Sequence, residues 1–168
     1  MSKVKREYPE SKAVKVWRKG NLALSIIKHS SMGHYCGYVR FPKRPVIEKG
    51  YEGILTYVPV HGGITYTKES EDGSMVYGFD CGHCDDWSET HPYGKKWTLE
   101  EVVKETENMA VAIQLVAKYE KRYLQALTVK GKAKIIDKYH KELKEKHGIA
   151  FNLNDNFGAM INVLGGVL

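Results

Sequence analysis

The chain has 168 residues, enough for one domain with a hydrophobic core and too few for two domains of ordinary size. Hydrophobic residues make up 42% and charged residues 27%, and no apolar run approaches the roughly 20 residues of a membrane helix, so we expect one globular domain without a membrane span. The formal charge of +6 favours an anionic partner, which could be nucleic acid, a phosphorylated small molecule or an acidic protein surface.

The N-terminal segment, MSKVKREYPESK, carries many charges and no apolar period. This composition predicts a flexible basic arm over residues 1–12, followed by a single domain over residues 13–168. The segment also lacks the apolar core of a secretory signal, so we expect the protein in the cytoplasm. In that reducing compartment its three cysteines would be free thiols or metal ligands rather than a disulfide framework.

Strand-like runs fill the first half of the chain. AVKVWRKG and LALSIIKH meet at Gly20-Asn21 and predict a β-hairpin, and YCGYVRF predicts the next strand. ILTYVPV has a further extended pattern, and GGITYTK and SMVYGFDC flank Asp72-Gly73, a pair suited to a tight turn. We therefore expect an antiparallel sheet of about five or six strands before residue 81.

A long helix is predicted at the start of the second half, where the apolar period changes to 3.6 residues. Thr98 and Glu101 have the spacing of a capping box, so this helix should begin at Leu99 and run to about Leu124.

A second, shorter amphipathic helix is predicted after Gly131, with Gly148 as its C-terminal cap. Strands followed by helices predict an α+β fold in which the sheet packs against the long helix. The apolar C-terminal segment, IAFNLNDNFGAMINVLGGVL, is expected to form a docking strand and short helix, or an edge that a partner subunit covers. We expect a homo-oligomer.

Reactive side chains concentrate in residues 60–87, VHGGITYTKESEDGSMVYGFDCGHCDDW. Cys81 and Cys84 form a C-x-x-C pair that would offer thiolates to zinc. Structural zinc sites usually show two such pairs and this segment has one, so we expect no cofactor and keep zinc as an alternative. The candidate zinc ligands are Cys36, His61, Cys81, His83 and Cys84, with His91 also available.

The same segment offers the carboxylates and imidazoles of metal-assisted hydrolysis. The candidate catalytic residues are His61, Asp80, His83 and Asp85, with Asp86 beside them. No H-E-x-x-H motif, nucleophile elbow or phosphate loop is present, so the sequence leans against an enzyme. Hydrogen bonding within a loop would also explain these residues.

A ligand-binding pocket would use this segment differently. Glycines at 62 and 63 would let backbone amides approach an anion, basic residues at 40, 43 and 44 would add positive charge, and aromatic rings would stack on a base. The predicted ligand-binding residues are Tyr38, Arg40, His61, Gly62, Gly63, Asp80, His83 and Trp87.

Three segments, GHYCGYVRFP, VHGGITY and GFDCGHCDDW, resemble a widespread family of small, mostly uncharacterised bacteriophage and prophage proteins. The family shows G-H-x-C-G-Y-V, V-H-G-G-[LI]-T-Y and G-F-D-C-x-H motifs followed by a helix, and the likeness covers residues 33–115. Family members often have a small residue at the position of Cys84, which argues against a C-x-x-C zinc site. The motif positions in this chain are Cys36, Gly37, Tyr38, His61, Gly62, Gly63, Asp80, Cys81 and His83.

The resemblance implies a phage protein that acts in the host cytoplasm. Some small phage proteins sequester the cyclic nucleotides or ADP-ribose derivatives of bacterial antiviral signalling, and this small basic chain is similar to them in kind. We therefore expect a sponge that binds a phosphorylated, cyclic nucleotide-type immune signal without cleaving it. The alternatives are a metal-dependent hydrolase or nuclease acting on a nucleotide or nucleic acid, and an inhibitor that binds a host protein.

Overall fold

The structure is a computed structural model that describes residues 12–156 together with residues 159 and 160. Almost all of the expected basic arm, residues 1–11, lies outside the described residues. The same holds for residues 157–158 and 161–168, which include most of the second half of the expected C-terminal docking segment.

One antiparallel sheet of five strands forms the first half of the fold, as predicted. The strands are β1 (Ala13–Lys19), β2 (Leu22–Lys28), β3 (Tyr35–Phe41), β4 (Tyr66–Glu69) and β5 (Met75–Asp80). They are arranged in the order β1-β2-β3-β5-β4, so β1 and β4 are the edge strands. Both predicted hairpins are confirmed, because β1 pairs with β2 and β4 pairs with β5.

The run ILTYVPV does not form a strand, so that prediction was wrong. Gly53–Tyr57 is a 3-10 helix in which Ile54, Leu55 and Tyr57 are buried. A turn of three residues places residues 54 and 57 on one side, whereas a strand would place them on opposite faces. Periodicity cannot separate a strand from a buried helical turn in so short an apolar run.

Two helices follow the sheet, α1 (Leu99–Gln125) and α2 (Val129–His147). The capping box of α1 is confirmed, since the Glu101 amide donates to Thr98 Oγ1 (3.2 Å) and the Thr98 amide donates to Glu101 Oε2 (2.9 Å). Helix α2 begins two residues before Gly131, because Thr128 caps it by accepting the Gly131 amide. Neither helix in the described part of the chain has an apolar stretch that could span a bilayer.

The core lies between the sheet and α1, which confirms the α+β prediction. The helix lies close to the sheet at Gly37, since a Cβ there would lie 2.3 Å from Thr106 Oγ1 of α1. Helix α2 packs against α1, and the Tyr139 hydroxyl donates to the Ala112 carbonyl (3.0 Å). The largest fully buried core side chains are Leu24, Ile26, Val39, Ile54, Leu55, Met75, Tyr77, Phe79, Met109, Ile113, Tyr139 and Leu143.

Candidate functional site

A loop between β5 and α1, residues 81–98, supplies much of the candidate site. The Trp87 amide donates to the Lys95 carbonyl and the Lys95 amide donates to the Asp85 carbonyl, each at 2.9 Å. Gly94 lies so close to the Asp86 backbone that a Cβ would meet it at 2.3 Å. The loop is thus folded back on itself, and this brings Asp86 beside Trp97 at the end of the sheet.

Asp86 is the centre of the site. Its side chain is 2% exposed, and its carboxylate accepts hydrogen bonds from the His83 amide (2.9 Å) and Trp97 Nε1 (2.8 Å) and is hydrogen-bonded to His61 Nε2 (2.7 Å). Burial raises the pKa of Asp86, but these hydrogen bonds and the charge of His61 outweigh it, so that the pKa lies below its ordinary value. The site therefore contains a buried negative charge at neutral pH.

Three polar contacts and one ring contact fix the position of His61. Its Nε2 faces Asp86, its Nδ1 lies 3.1 Å from Asp155 Oδ1, and its backbone amide donates to Glu105 Oε1 of α1 (2.7 Å). The ring also packs against Trp97, with 4.6 Å between ring centroids. Burial raises the pKa of Glu105 above its ordinary value, although the bond from the His61 amide opposes the shift.

His83 completes a cluster with His61 and Asp86. Its Nδ1 atom lies 3.4 Å from Asp86 Oδ2 and 3.9 Å from Asp80 Oδ1. Neither contact has the geometry of a hydrogen bond, so this atom has no hydrogen-bond partner among the described residues. The imidazole lies directly on Gly62, where a Cβ would come within 2.0 Å of the ring. A glycine is therefore required at position 62 for this placement of the ring.

The His61–His83–Asp86 cluster could hold a metal ion, because one ligand atom from each residue lies within 4.8 Å of the others. Within residues 12–156 and 159–160 this is the one such group of histidine, cysteine and carboxylate side chains. Asp85, a predicted catalytic residue, is exposed and does not belong to the cluster, whose carboxylate is Asp86.

The predicted cysteine ligands do not join the cluster. Cys36 and Cys81 are buried and Cys84 is exposed. Burial raises the pKa of the Cys36 thiol to about 12 and raises the pKa of Cys81 as well. Burial thus opposes formation of the thiolates that zinc binds.

The other predicted binding residues divide between the cluster and the sheet. Asp80 lies beside His83, and its carboxylate accepts the Gly82 amide (3.1 Å) and the Thr65 hydroxyl (3.0 Å). Gly62 lies under His83, and Gly63 lies next to the side chain of Asn156, where a Cβ would be 3.2 Å from Asn156 Oδ1.

Tyr38 and Arg40 lie on the sheet, away from the cluster. Tyr38 packs edge-on against Tyr66, with 5.4 Å between centroids. Arg40 is opposite Val76. That position is four residues before Asp80, or roughly 13 Å along the strand. The structure does not bring Arg40 together with His61 and His83.

A pocket of about 310 Å³ lies next to the cluster, at the N-terminal end of α1. Trp97 belongs to both, since it lines the pocket and donates to Asp86. Trp87 is the one predicted ligand-binding residue that lines it. The lining residues are Lys28, Gly33, His34, Tyr35, Cys81, Trp87, Lys96, Trp97 and Thr98.

The pocket combines positive charge, aromatic rings and a buried polar atom. Lys96 Nζ lies 4.1 Å from the centroid of the Trp87 ring. His34 is 8% exposed, and its Nδ1 is buried with no hydrogen-bond partner in the described part of the chain. Burial lowers the pKa of His34, so its imidazole is neutral at neutral pH.

Sequence reasoning missed several residues of this region. Two of them could have been found from their neighbours in the sequence: His34 stands within the G-H-x-C-G-Y-V motif, and Trp97 directly precedes the helix cap. Nothing in the sequence near Asp155 indicates its role, because its partner His61 lies 94 positions away.

Comparisons of the chain with protein-family models, with curated proteins and with solved structures gave no match. The fold and the site define the class of protein: an α+β protein with a buried histidine–aspartate cluster beside a basic, aromatic pocket.

Proposed function

We propose that the protein binds a phosphorylated nucleotide-type small molecule in the pocket next to α1 and sequesters it without cleavage. The observation that supports this proposal is the composition of that pocket. Two lysines, Lys28 and Lys96, and two indoles, Trp87 and Trp97, line one concave space together with His34, whose buried Nδ1 has no hydrogen-bond partner among residues 12–156 and 159–160.

Most of these groups suit one part of a nucleotide. The ammonium groups of Lys28 and Lys96 attract phosphate. The Trp87 indole suits a stacked base, since base–aromatic stacking is strong and tolerates any base. Trp97 is less suited to stacking, because its ring already contacts Lys95 Nζ (3.7 Å) and the His61 ring (4.6 Å). His34 Nδ1 is buried before a ligand binds, so it would hydrogen-bond a base or ribose edge once the ring turns toward the pocket, and satisfying this buried atom would add affinity.

Sequestration rather than turnover is supported by where the carboxylates lie. Asp80, Asp86 and Glu105 are not among the residues that line the pocket, so a bound ligand would not face a carboxylate base. The resemblance to phage proteins extends the proposal to a cyclic nucleotide-type signal of host immunity, bound in the host cytoplasm.

A second candidate function, metal-dependent hydrolysis of a nucleotide or nucleic acid, is favoured by the His61–His83–Asp86 cluster. The two functions differ in the fate of the ligand. A sponge returns it unchanged when the protein is denatured, whereas a hydrolase leaves a product that a chelator prevents.

The test is to incubate the purified protein with cyclic di- and trinucleotides and cyclic ADP-ribose isomers, and to chromatograph the mixture before and after heating. We expect one ligand to leave the free pool and reappear intact. Trp87→Ala should weaken its binding about 10- to 100-fold, the equivalent of roughly 1–3 kcal/mol for one stacked base.

Lys96→Ala should also weaken binding, and Lys15→Ala is its matched control. Lys15 Nζ lies 5.8 Å from the Trp17 ring on β1, so it forms a second lysine–tryptophan pair outside the pocket. Equal effects of the two substitutions would contradict the proposed pocket. A new product peak would instead establish an enzyme, and no depletion of any nucleotide would contradict the function.

A further inference from the structure

We propose that His61, His83 and Asp86 form a binding site for a divalent first-row transition-metal ion such as Zn²⁺. The inference concerns the cluster and does not depend on the identity of the pocket ligand. Two imidazole nitrogens and one carboxylate oxygen are a donor set that zinc and non-haem iron use in proteins, with further positions left for water or substrate.

The spacing of the donor atoms is close to what a metal ion requires. Zn²⁺ bonds of about 2.0–2.2 Å place two ligand atoms at most about 4.4 Å apart. The three donor atoms lie within 4.8 Å of one another, and tetrahedral coordination with bonds of about 2.1 Å places two ligand atoms about 3.4 Å apart, so binding would open the closest pair and draw in the widest. His61 Nε2 and His83 Nδ1 both converge on Asp86 Oδ2, at 2.7 and 3.4 Å.

The groups around the donor atoms have the arrangement of an outer ligand shell. Asp155 Oδ1 lies 3.1 Å from His61 Nδ1, and a carboxylate at the far ring nitrogen is the usual outer-shell partner of an imidazole that binds a metal through its other nitrogen, here Nε2. Trp97 Nε1 holds the second oxygen of Asp86 at 2.8 Å. With Nδ1 protonated, two electron-pair donors 2.7 Å apart, Nε2 and Asp86 Oδ2, require a proton or a metal cation between them.

Charge and access also favour a cation. Three more carboxylates surround the two histidines: Asp80 near His83, and Glu105 and Asp155 at His61. The side chain of His83 is 29% exposed, whereas that of Asp86 is 2% exposed. An ion can therefore enter past His83 and reach a carboxylate whose position is fixed by the His83 amide and Trp97 Nε1.

The experiment titrates chelator-treated protein with Zn²⁺ by calorimetry and with Co²⁺ by visible absorption. We expect one ion per chain, a rise in melting temperature with Zn²⁺, and a Co²⁺ spectrum without a thiolate charge-transfer band. Asp155→Asn should weaken binding about 10- to 100-fold, as loss of an outer-shell carboxylate does. His83→Gln, which removes a donor atom, should weaken it further.

Two matched controls separate this site from other sets of ligands. His91→Gln changes an exposed histidine of the same loop outside the cluster, and Cys84→Ser removes the exposed thiol of the C-x-x-C pair. Both should bind Zn²⁺ like the unchanged protein. If His83→Gln fails to fold, the affinity of Asp155→Asn for Zn²⁺ tests the site instead. Absence of stoichiometric binding, unchanged affinity in the cluster variants, or loss of binding in Cys84→Ser would overturn the proposal.

Discussion

Single residues show how one position in a turn decides which carboxylate enters the cluster. The Asp86 amide donates to the His83 carbonyl (2.9 Å), which closes a tight turn over these four residues. The turn directs the Asp86 carboxylate back to the His83 amide, whereas Asp85 is exposed. Asp85 and Asp86 are equivalent by composition, so only the turn geometry distinguishes them.

Replacing the single residue Gly62 should lower the stability of the protein. Gly62 and Gly73 both have positive φ, 70° and 80°, but only Gly62 faces a close neighbour, the His83 ring. Gly73→Ala should cost about 1–2 kcal/mol from the backbone conformation alone. Gly62→Ala should cost about 1–3 kcal/mol more, because its Cβ overlaps the imidazole.

Urea denaturation of both variants measures the difference in the free energy of unfolding. Equal losses in the two variants would show that the His83 ring moves away from Gly62 without cost, and would contradict its placement between Gly62 and Asp86.

At the scale of elements, the approach of α1 to β3 positions one wall of the site. Glu105, which accepts the His61 amide, is one residue before Thr106, which faces Gly37. The depth at which α1 sits on the sheet therefore sets the position of His61. A Cβ at Gly37 would lie 2.3 Å from Thr106 Oγ1 and 2.5 Å from the Phe79 ring.

Gly37→Ala should therefore destabilise the protein by about 1–3 kcal/mol through overpacking. Gly50→Ala is the matched control, because the nearest atom to its added Cβ is a backbone nitrogen at 3.9 Å and no positive φ is involved. Thermal unfolding followed by circular dichroism should show a lower melting temperature for Gly37→Ala alone. A similar melting temperature for both variants would mean that α1 can shift freely over β3.

Across the whole molecule, the site joins segments that are far apart in sequence. His61 follows the 3-10 helix, Asp86 lies after β5, and Asp155 lies beyond α2. Trp97 connects the cluster to the pocket through its contacts with Asp86 and His61. Metal binding and ligand binding, if both are found, would therefore share one side chain.

Stability of the whole protein should fall on acidification because folding removes two histidine rings, His34 and His140, from much of their contact with water. His140 donates from Nε2 to the Tyr57 carbonyl (2.8 Å) and stacks on Phe151, 4.1 Å between centroids. Burial lowers its pKa below 6.5, although the Tyr57 bond and Asp137 oppose the shift, and burial lowers the pKa of His34 likewise. The folded state thus favours neutral imidazoles.

The sign of the pH dependence follows from these lowered values. In the unfolded chain these histidines bind protons near pH 6.5, whereas in the folded chain they do so only at lower pH. Their contribution to the free energy of unfolding is therefore fully present above pH 6.5 and is lost as pH falls through the lowered pKa. Urea denaturation on either side of pH 6.5 should show a smaller loss for His140→Gln than for the exposed control His91→Gln. Equal losses would contradict the role of His140.

The local sequence alone determined those elements that are specified by residues close together in the chain. The turns at Gly20-Asn21 and Asp72-Gly73, the capping box of Thr98 and the apolar stripe of α1 each depend on residues a few positions apart, and all four are present. Propensity and periodicity suffice in such cases because the interactions are local.

Only the tertiary structure decided how the site is assembled. It selected Asp86 over Asp85, left Cys36, Cys81 and Cys84 out of the cluster, and brought Asp155 to His61. It also made the pocket from Lys28 on β2, His34 beside β3 and Trp97 at the start of α1. These contacts join distant segments through packing and burial, which the order of residues along the chain does not express.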